Sequence, residues 1–243
     1  MNYSYDADYD NEYGYADGFA ADVALDRRLA FIRRTYVHVF GAVLALIGIE
    51  AVLFSMEAAV LPLARLMIGN WWAVLLLYMA AGWVAERWAN SDTSVGMQYL
   101  GLALFTAVEA MILFPLLYIA QKFGSENIIP TAGFLTLLIF GGLTMIVMLT
   151  KKDFSFMRNI LCVCSFAALG LIVASMIIGF SLGLIFVVAM IALVSGYILY
   201  YTSNVLHHYH TDQHVAASLA LFSSITTLFW YVLQLLMILG SDD

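Results

Sequence analysis

The sequence predicts an all-α integral membrane protein, a seven-transmembrane-helix bundle with its N-terminus cytoplasmic and its C-terminus outside. Three observations carry this. Of 243 residues, 63% are hydrophobic and only 11% are charged, with a mean hydropathy of +0.91, whereas a soluble domain carries about 25% charged residues. Apolar runs near the ~20 residues that a helix needs to cross the hydrocarbon core recur seven times. The basic residues also divide unequally between the two sides that such a threading defines.

The chain opens with an acidic tail, residues 1–26, that holds six Asp and one Glu before the first Arg. Tyr3, Tyr5, Tyr9, Tyr13 and Tyr15 repeat through it with Asp and Gly. That low-complexity pattern buries too little apolar surface to fold, so the tail reads as disordered. A cleavable signal would be basic and then apolar, and this segment is neither. The membrane domain takes the rest, residues 27–243.

The expected spans are roughly 35–56, 71–87, 97–120, 131–149, 159–179, 182–202 and 215–238, joined by short connections. Pro115 falls inside the third and predicts a kink there. Pro130 suits the first turn of the fourth, where its missing N–H costs nothing. Gly179-Phe-Ser-Leu-Gly183 lies where the fifth span must turn into the sixth and reads as a tight hairpin. With the N-terminus inside, the inner segments hold Arg27, Arg28, Arg33, Arg34, Arg87, Lys151, Lys152 and Arg158, and the outer ones only Arg65 and Lys122. This is the positive-inside bias of a plasma membrane protein, the inner membrane if the source is bacterial.

Several function classes find no support in the chain. Ten Lys plus Arg without a basic stripe give no nucleic-acid footprint. There is no Gly-rich phosphate loop, nucleophile elbow or His-Glu-x-x-His motif, so no enzyme is expected. Cys162 and Cys164 project about 200° apart on a helix and cannot clamp a metal together. No cofactor is expected, and calcium enters only as a candidate transported ion.

The informative residues are the polar ones inside the spans. An ionisable group there costs about 2.5–3.5 kcal/mol on insertion scales and normally faces protein or water. Glu50 lies late in the first span and Glu109 near the middle of the third. Glu50 could be hydrated at the outer interface. Glu109 is either a carboxyl hydrogen-bonded in a helix contact or an ion and proton site. Two stripes accompany them. Tyr197, Tyr201, Asn204 and His208 share one face of the sixth span, and Ser224, Thr227, Tyr231 and Gln234 one face of the seventh. Such stripes face each other or a wet cavity, not lipid. Glu109, Glu50, Tyr201, Ser224, Asn204 and Thr227 are therefore the candidate ion-pathway residues. Glu109 and the inner-loop histidines His207, His208 and His210 are candidate pH sensors, since His titrates near neutrality.

Three stretches resemble the Bax inhibitor-1/YccA family, also called the transmembrane Bax inhibitor motif family. They are Thr150-Lys-Lys-Asp-Phe-Ser-Phe, Gly196-Tyr-Ile-Leu-Tyr-Tyr-Thr-Ser-Asn-Val-Leu-His-His-Tyr, and Thr211-Asp-Gln-His-Val-Ala-Ala-Ser-Leu-Ala-Leu-Phe. The resemblance is strongest over 131–238. It implies a seven-helix bundle linked to calcium leak, pH sensing and stress or cell-death control. In calcium-conducting members an aspartate pair in the last two spans is thought to gate the pore. The matching positions here are Tyr201 and Ser224, so that carboxylate dyad is replaced. The YccA-like branch implies another role, as regulator or binding partner of a membrane-anchored AAA protease, for which a cytoplasmic acidic tail would serve. The lipid bilayer is the one certain partner, and the oligomeric state is not legible.

Overall fold

In the computed structural model, which describes residues 18–91 and 94–240, eight helices follow one another. They are α1 (Leu25–Ser55), α2 (Glu57–Gly69), α3 (Trp71–Ala89), α4 (Val95–Phe123), α5 (Ile128–Thr150), α6 (Met157–Ile178), α7 (Leu184–His207) and α8 (His214–Gly240). Six of these, α1 and α4 to α8, are each long and apolar enough to cross a membrane, and counting α2 with α3, bent by 100°, as one span brings the number to seven. The expected fold class holds. The expected boundaries agree with the helices to within a residue or two where they overrun them, at 56, 179 and 182–183, and elsewhere the helices extend further, as at the start of α1.

The connection after the first span differs from expectation, because it is itself helical. Glu57–Gly69 has 13 residues and contains Pro62. At 1.5 Å per residue it is too short to cross, so its apolar content gives no span signal. It is turned 100° from α3. Glu57 on α2 meets Lys122 at the outer end of α4 at 3.6 Å. Pro115 is fully inside the continuous helix α4, and Pro130 stands in the first turn of α5. Gly179 ends α6 with φ +85°, a left-handed turn that glycine adopts without strain, and the hairpin to α7 follows.

Helix α8 is the axis of the bundle. It packs on α1, α3, α4, α5 and α7, and its inner half, from Val215 to Thr226, is buried at nearly every position. The chain makes this possible by placing Ala216, Ala217, Ser218 and Ala220 where neighbours approach. Helix α6 is peripheral. Its substantial contacts are with α7 alone, at the inner end where Leu161 lies over Gly196.

On the inner side, residues 18–24 lie against the α7–α8 loop. Ala20 N–H donates to the Tyr209 carbonyl at 2.9 Å and Thr211 N–H to that of Gly18 at 3.3 Å. The Phe19 and His210 rings are 4.2 Å apart. The Tyr-rich stretch up to residue 17 lies outside the described residues, as do the final three.

Helices α3 and α4 approach closely at Gly101. A methyl group there would stand 2.5 Å from the Ala85 carbonyl oxygen and 2.8 Å from the Ala89 nitrogen. Gly101→Ala must push the helices apart, at a cost of about 1–3 kcal/mol. Gly141 in α5 has nothing within 4 Å of the same position. Thermal unfolding of the purified protein should show a lower midpoint for Gly101→Ala and an unchanged or higher one for Gly141→Ala. Equal midpoints would show that α3 and α4 do not cross this closely.

Candidate functional site: a polar cavity ending on Glu109

Glu109 stands at the midpoint of α4 and is 5% exposed. Its Oε1 accepts from the Thr226 hydroxyl of α8 at 2.6 Å and from the Tyr78 hydroxyl of α3 at 3.3 Å. Thr226 also lies 3.0 Å from the Ser223 carbonyl. Both donors converge on one oxygen, and Glu109 lines a cavity of about 380 Å³. Burying a carboxyl without such donors costs several kcal/mol. Glu109 therefore fixes three helices against one another.

The cavity fills the outer half of the bundle. Its polar lining comes from Tyr78, Glu109, Ser175, Thr226, Thr227, Tyr231 and Gln234. Its apolar wall includes Trp71 and Trp230, stacked with ring centroids 5.8 Å apart, with Ile172 and Met176 of α6 and Phe186 of α7. On the inner side of Glu109 the Phe105 and Phe222 rings meet edge to face at 6.1 Å. Phe222 is 0% exposed and Phe105 4%, so this aromatic contact is buried one turn below Glu109, outside the cavity lining. Tyr78 rests on the same Phe105.

The α8 stripe therefore lines the cavity through Thr227, Tyr231 and Gln234, while Ser224 lies on the inner side of it, buried, donating to the Ala220 carbonyl at 2.9 Å. The α7 stripe turns away. Tyr197 bonds to Ser165 of α6 at 2.9 Å, Tyr201 stacks on Tyr197 at 5.6 Å, and the Asn204 carbonyl accepts the His208 and Tyr209 N–H groups at the helix end. Neither Tyr201 nor Asn204 lines the cavity. Glu50 completes the buried stripe of α1, with both oxygens buried and unpartnered among the described residues, and it too is apart from the cavity. Thr106 bonds back to the Leu102 carbonyl instead of reaching Glu109.

Sequence reasoning missed Tyr78 and Thr226. Tyr78 is a lone phenol in an apolar run, and Thr226 lies one place off the stripe that draws the eye to Thr227. It also missed an inner cluster in which the Tyr99 hydroxyl meets His38 Nε2 at 2.8 Å and His214 lies 5.1 Å from the His38 ring.

The model of the family described as inhibitor of apoptosis-promoting Bax1 matches residues 28–241. The chain belongs to the Bax inhibitor family. It is 29% identical over 228 residues to Bax inhibitor 1 of Schizosaccharomyces pombe, covering 92% of this chain and 82% of that protein. It is 33% identical over 147 residues to an uncharacterized membrane protein of Vibrio cholerae, covering 58% and 63% of the two chains. An uncharacterized protein of Pseudomonas aeruginosa matches at 33% over 118 residues, 48% of this chain and 53% of the relative.

In this Bax inhibitor family member the stretch after α5 and the stretch at the end of α7 form one inner junction. Lys151, at φ 51°, ends α5 and turns the chain back. Ser203 of α7 then accepts the Phe154 N–H at 2.8 Å and lies 3.3 Å from Asp153. Asp153 accepts the Ser155 N–H at 2.8 Å and meets His208 Nε2 at 3.0 Å. His207 bonds to the Ser203 carbonyl and His210 packs against Phe19 with the rings tilted by 40°, so the three histidines serve three different contacts.

Desolvation is the largest single influence and pushes the Asp153 carboxyl up, but the Ser155 N–H, the His208 ring and the Ser155 hydroxyl together outweigh it and hold the group down at about 2. A carboxyl depressed in the folded state stabilises the fold above its ordinary range, and that stability is lost as pH falls towards 2. Asp153→Asn should lower the thermal midpoint at pH 7 and leave it unchanged near pH 2. A deficit of equal size at both would assign the junction to packing instead of charge.

Proposed function

We propose that this Bax inhibitor family protein is a pH-linked cation leak, with calcium the first candidate ion, and that Glu109 takes the place of the replaced aspartate pair. The observation that carries this reading is the cavity that leads through Gln234, Tyr231 and Thr227 to a carboxyl at mid-membrane. An intramembrane carboxyl facing a polar cavity is the arrangement that ion and proton pathways use. Hard cations want several oxygen ligands, and the cavity offers Glu109 Oε2 with the oxygens of Thr227, Tyr231 and Gln234 nearby. The aromatic contact of Phe105 with Phe222 serves as the gate, and conduction requires it to part. A proton and a cation compete for the same carboxyl, so flux should rise with pH.

The reading as a partner of a membrane-anchored AAA protease leans on the acidic tail, most of which lies outside the described residues. The leak is tested by calcium uptake into liposomes at pH 6 and pH 8. The wild type should conduct faster at pH 8. Glu109→Gln should lose about tenfold or more, the factor given by roughly 1.4 kcal/mol, at both pH values. Folded Glu109→Gln with unchanged flux would remove this carboxyl from the pathway. No flux from folded wild type would leave the regulatory role in front.

A further inference from the structure

The geometry points to a second use of the outer cavity: it is a binding site for small amphiphilic amines that arrive from the bilayer. The conducting role is not assumed here, because binding follows from the shape and chemistry of the cavity whether or not ions pass.

Two features carry the inference. The first is composition. About 380 Å³ falls in the range of sites for drug-sized ligands, which are mostly apolar with a few placed polar groups. Here the apolar part is the Trp71–Trp230 stack with Phe186 and Met176, and the polar end is Glu109. Glu109 Oε1 already accepts two hydrogen bonds, so Oε2 is the position that lacks a donor. An ammonium supplies that donor and the opposite charge in one group, a charge-assisted bond. The indole faces attract the cationic head on its way in and pack the carbon body behind it. A metal ion would use the carboxyl but leave the aromatic wall unemployed. A neutral lipid chain would use the wall but leave Oε2 bare.

The second feature is access. Helices α3 and α6 both line the cavity, yet α6 has its substantial contacts with α7 alone and α3 with α2, α4 and α8. The seam between α3 and α6 is therefore not closed by helix packing. The lipid-facing side of α6 is apolar, with Val163, Phe166, Leu171 and Ile177 exposed. A molecule dissolved in the outer leaflet meets this seam directly. Its charged end enters towards Glu109 while its apolar end stays near the Trp pair.

The experiment uses the full chain in phosphatidylcholine nanodiscs and dansylcadaverine, a five-carbon primary amine carrying an aromatic dansyl group. Energy transfer from tryptophan to dansyl reports occupancy, since Trp71 and Trp230 flank the site. Transfer should saturate, should be displaced by unlabelled hexylamine and should resist hexanol. The N-pentyl dansylamide, which lacks the ammonium, should bind at least about tenfold more weakly, as should dansylcadaverine to Glu109→Gln. Ser175→Trp fills the cavity from α6 without touching Glu109 and should abolish saturable transfer. It decides the matter if Glu109→Gln proves unfolded. Equal binding of the neutral dansylamide, unchanged binding by folded Glu109→Gln, or unsaturable transfer matching empty nanodiscs would each overturn the proposal. None of those results bears on calcium flux, so the leak and the amine site fail independently.

Discussion

A carboxyl at the midpoint of a membrane helix must be given donors, and the arrangement of this bundle follows from that demand. Glu109 obtains them from Thr226 on α8 and Tyr78 on α3. Those two bonds bring three helices together at one depth. One turn from Glu109 on α4, Phe105 is placed against Phe222 of α8, while on the other side of Glu109 the cavity is lined by α3, α4, α6, α7 and α8. The polar asymmetry across the membrane thus grows from one buried group.

The inner half is held by different means. Residues 18–24 pair with the α7–α8 loop, and Asp153 ties the α5–α6 connection to Ser203 and His208. Within the bundle, the Tyr36 hydroxyl stands between Thr144 and Thr202, and these three buried hydroxyls bring α1, α5 and α7 together. The two ends of the protein therefore differ in kind: an outer cavity with a polar lining, and an inner half closed by packing and loop contacts.

Much of this was legible in the residues. Composition gave the bundle, because hydrocarbon tolerates neither charge nor unpaired backbone, and the placement of Arg and Lys supplies the orientation expected for it. Three stretches of sequence led to the family that the match over 28–241 establishes. Glu109 and the α8 stripe stood out because polar groups in apolar runs are rare. What the sequence withheld depends on rotation about helix axes. A 4-3-4 spacing says that Tyr197, Tyr201 and Asn204 share a face, but not that the face turns to α6 instead of α8. Glu50 could be placed near the outer end of α1, yet its burial depends on the neighbours that cover the Phe31–Thr35–Val39–Leu46 stripe. Helix α2 was hidden by its length, since 13 mainly apolar residues, with Glu57 and Arg65 among them, satisfy no spanning criterion. Tyr78 carried no signal because one phenol among aliphatic residues looks like packing.

The central claim is that water reaches the middle of the membrane from the outer side and stops at Glu109. Cysteine accessibility tests it directly, in a background with Cys162→Ala and Cys164→Ala, both native thiols being exposed on α6. Single cysteines at Gln234, Thr227 and Ser224 would be challenged from the outer side with a membrane-impermeant maleimide. The account predicts labelling of Gln234→Cys and Thr227→Cys and protection of Ser224→Cys. Protection of Thr227→Cys alongside Ser224→Cys would contradict it, because no aqueous cavity would then extend to the depth of Glu109.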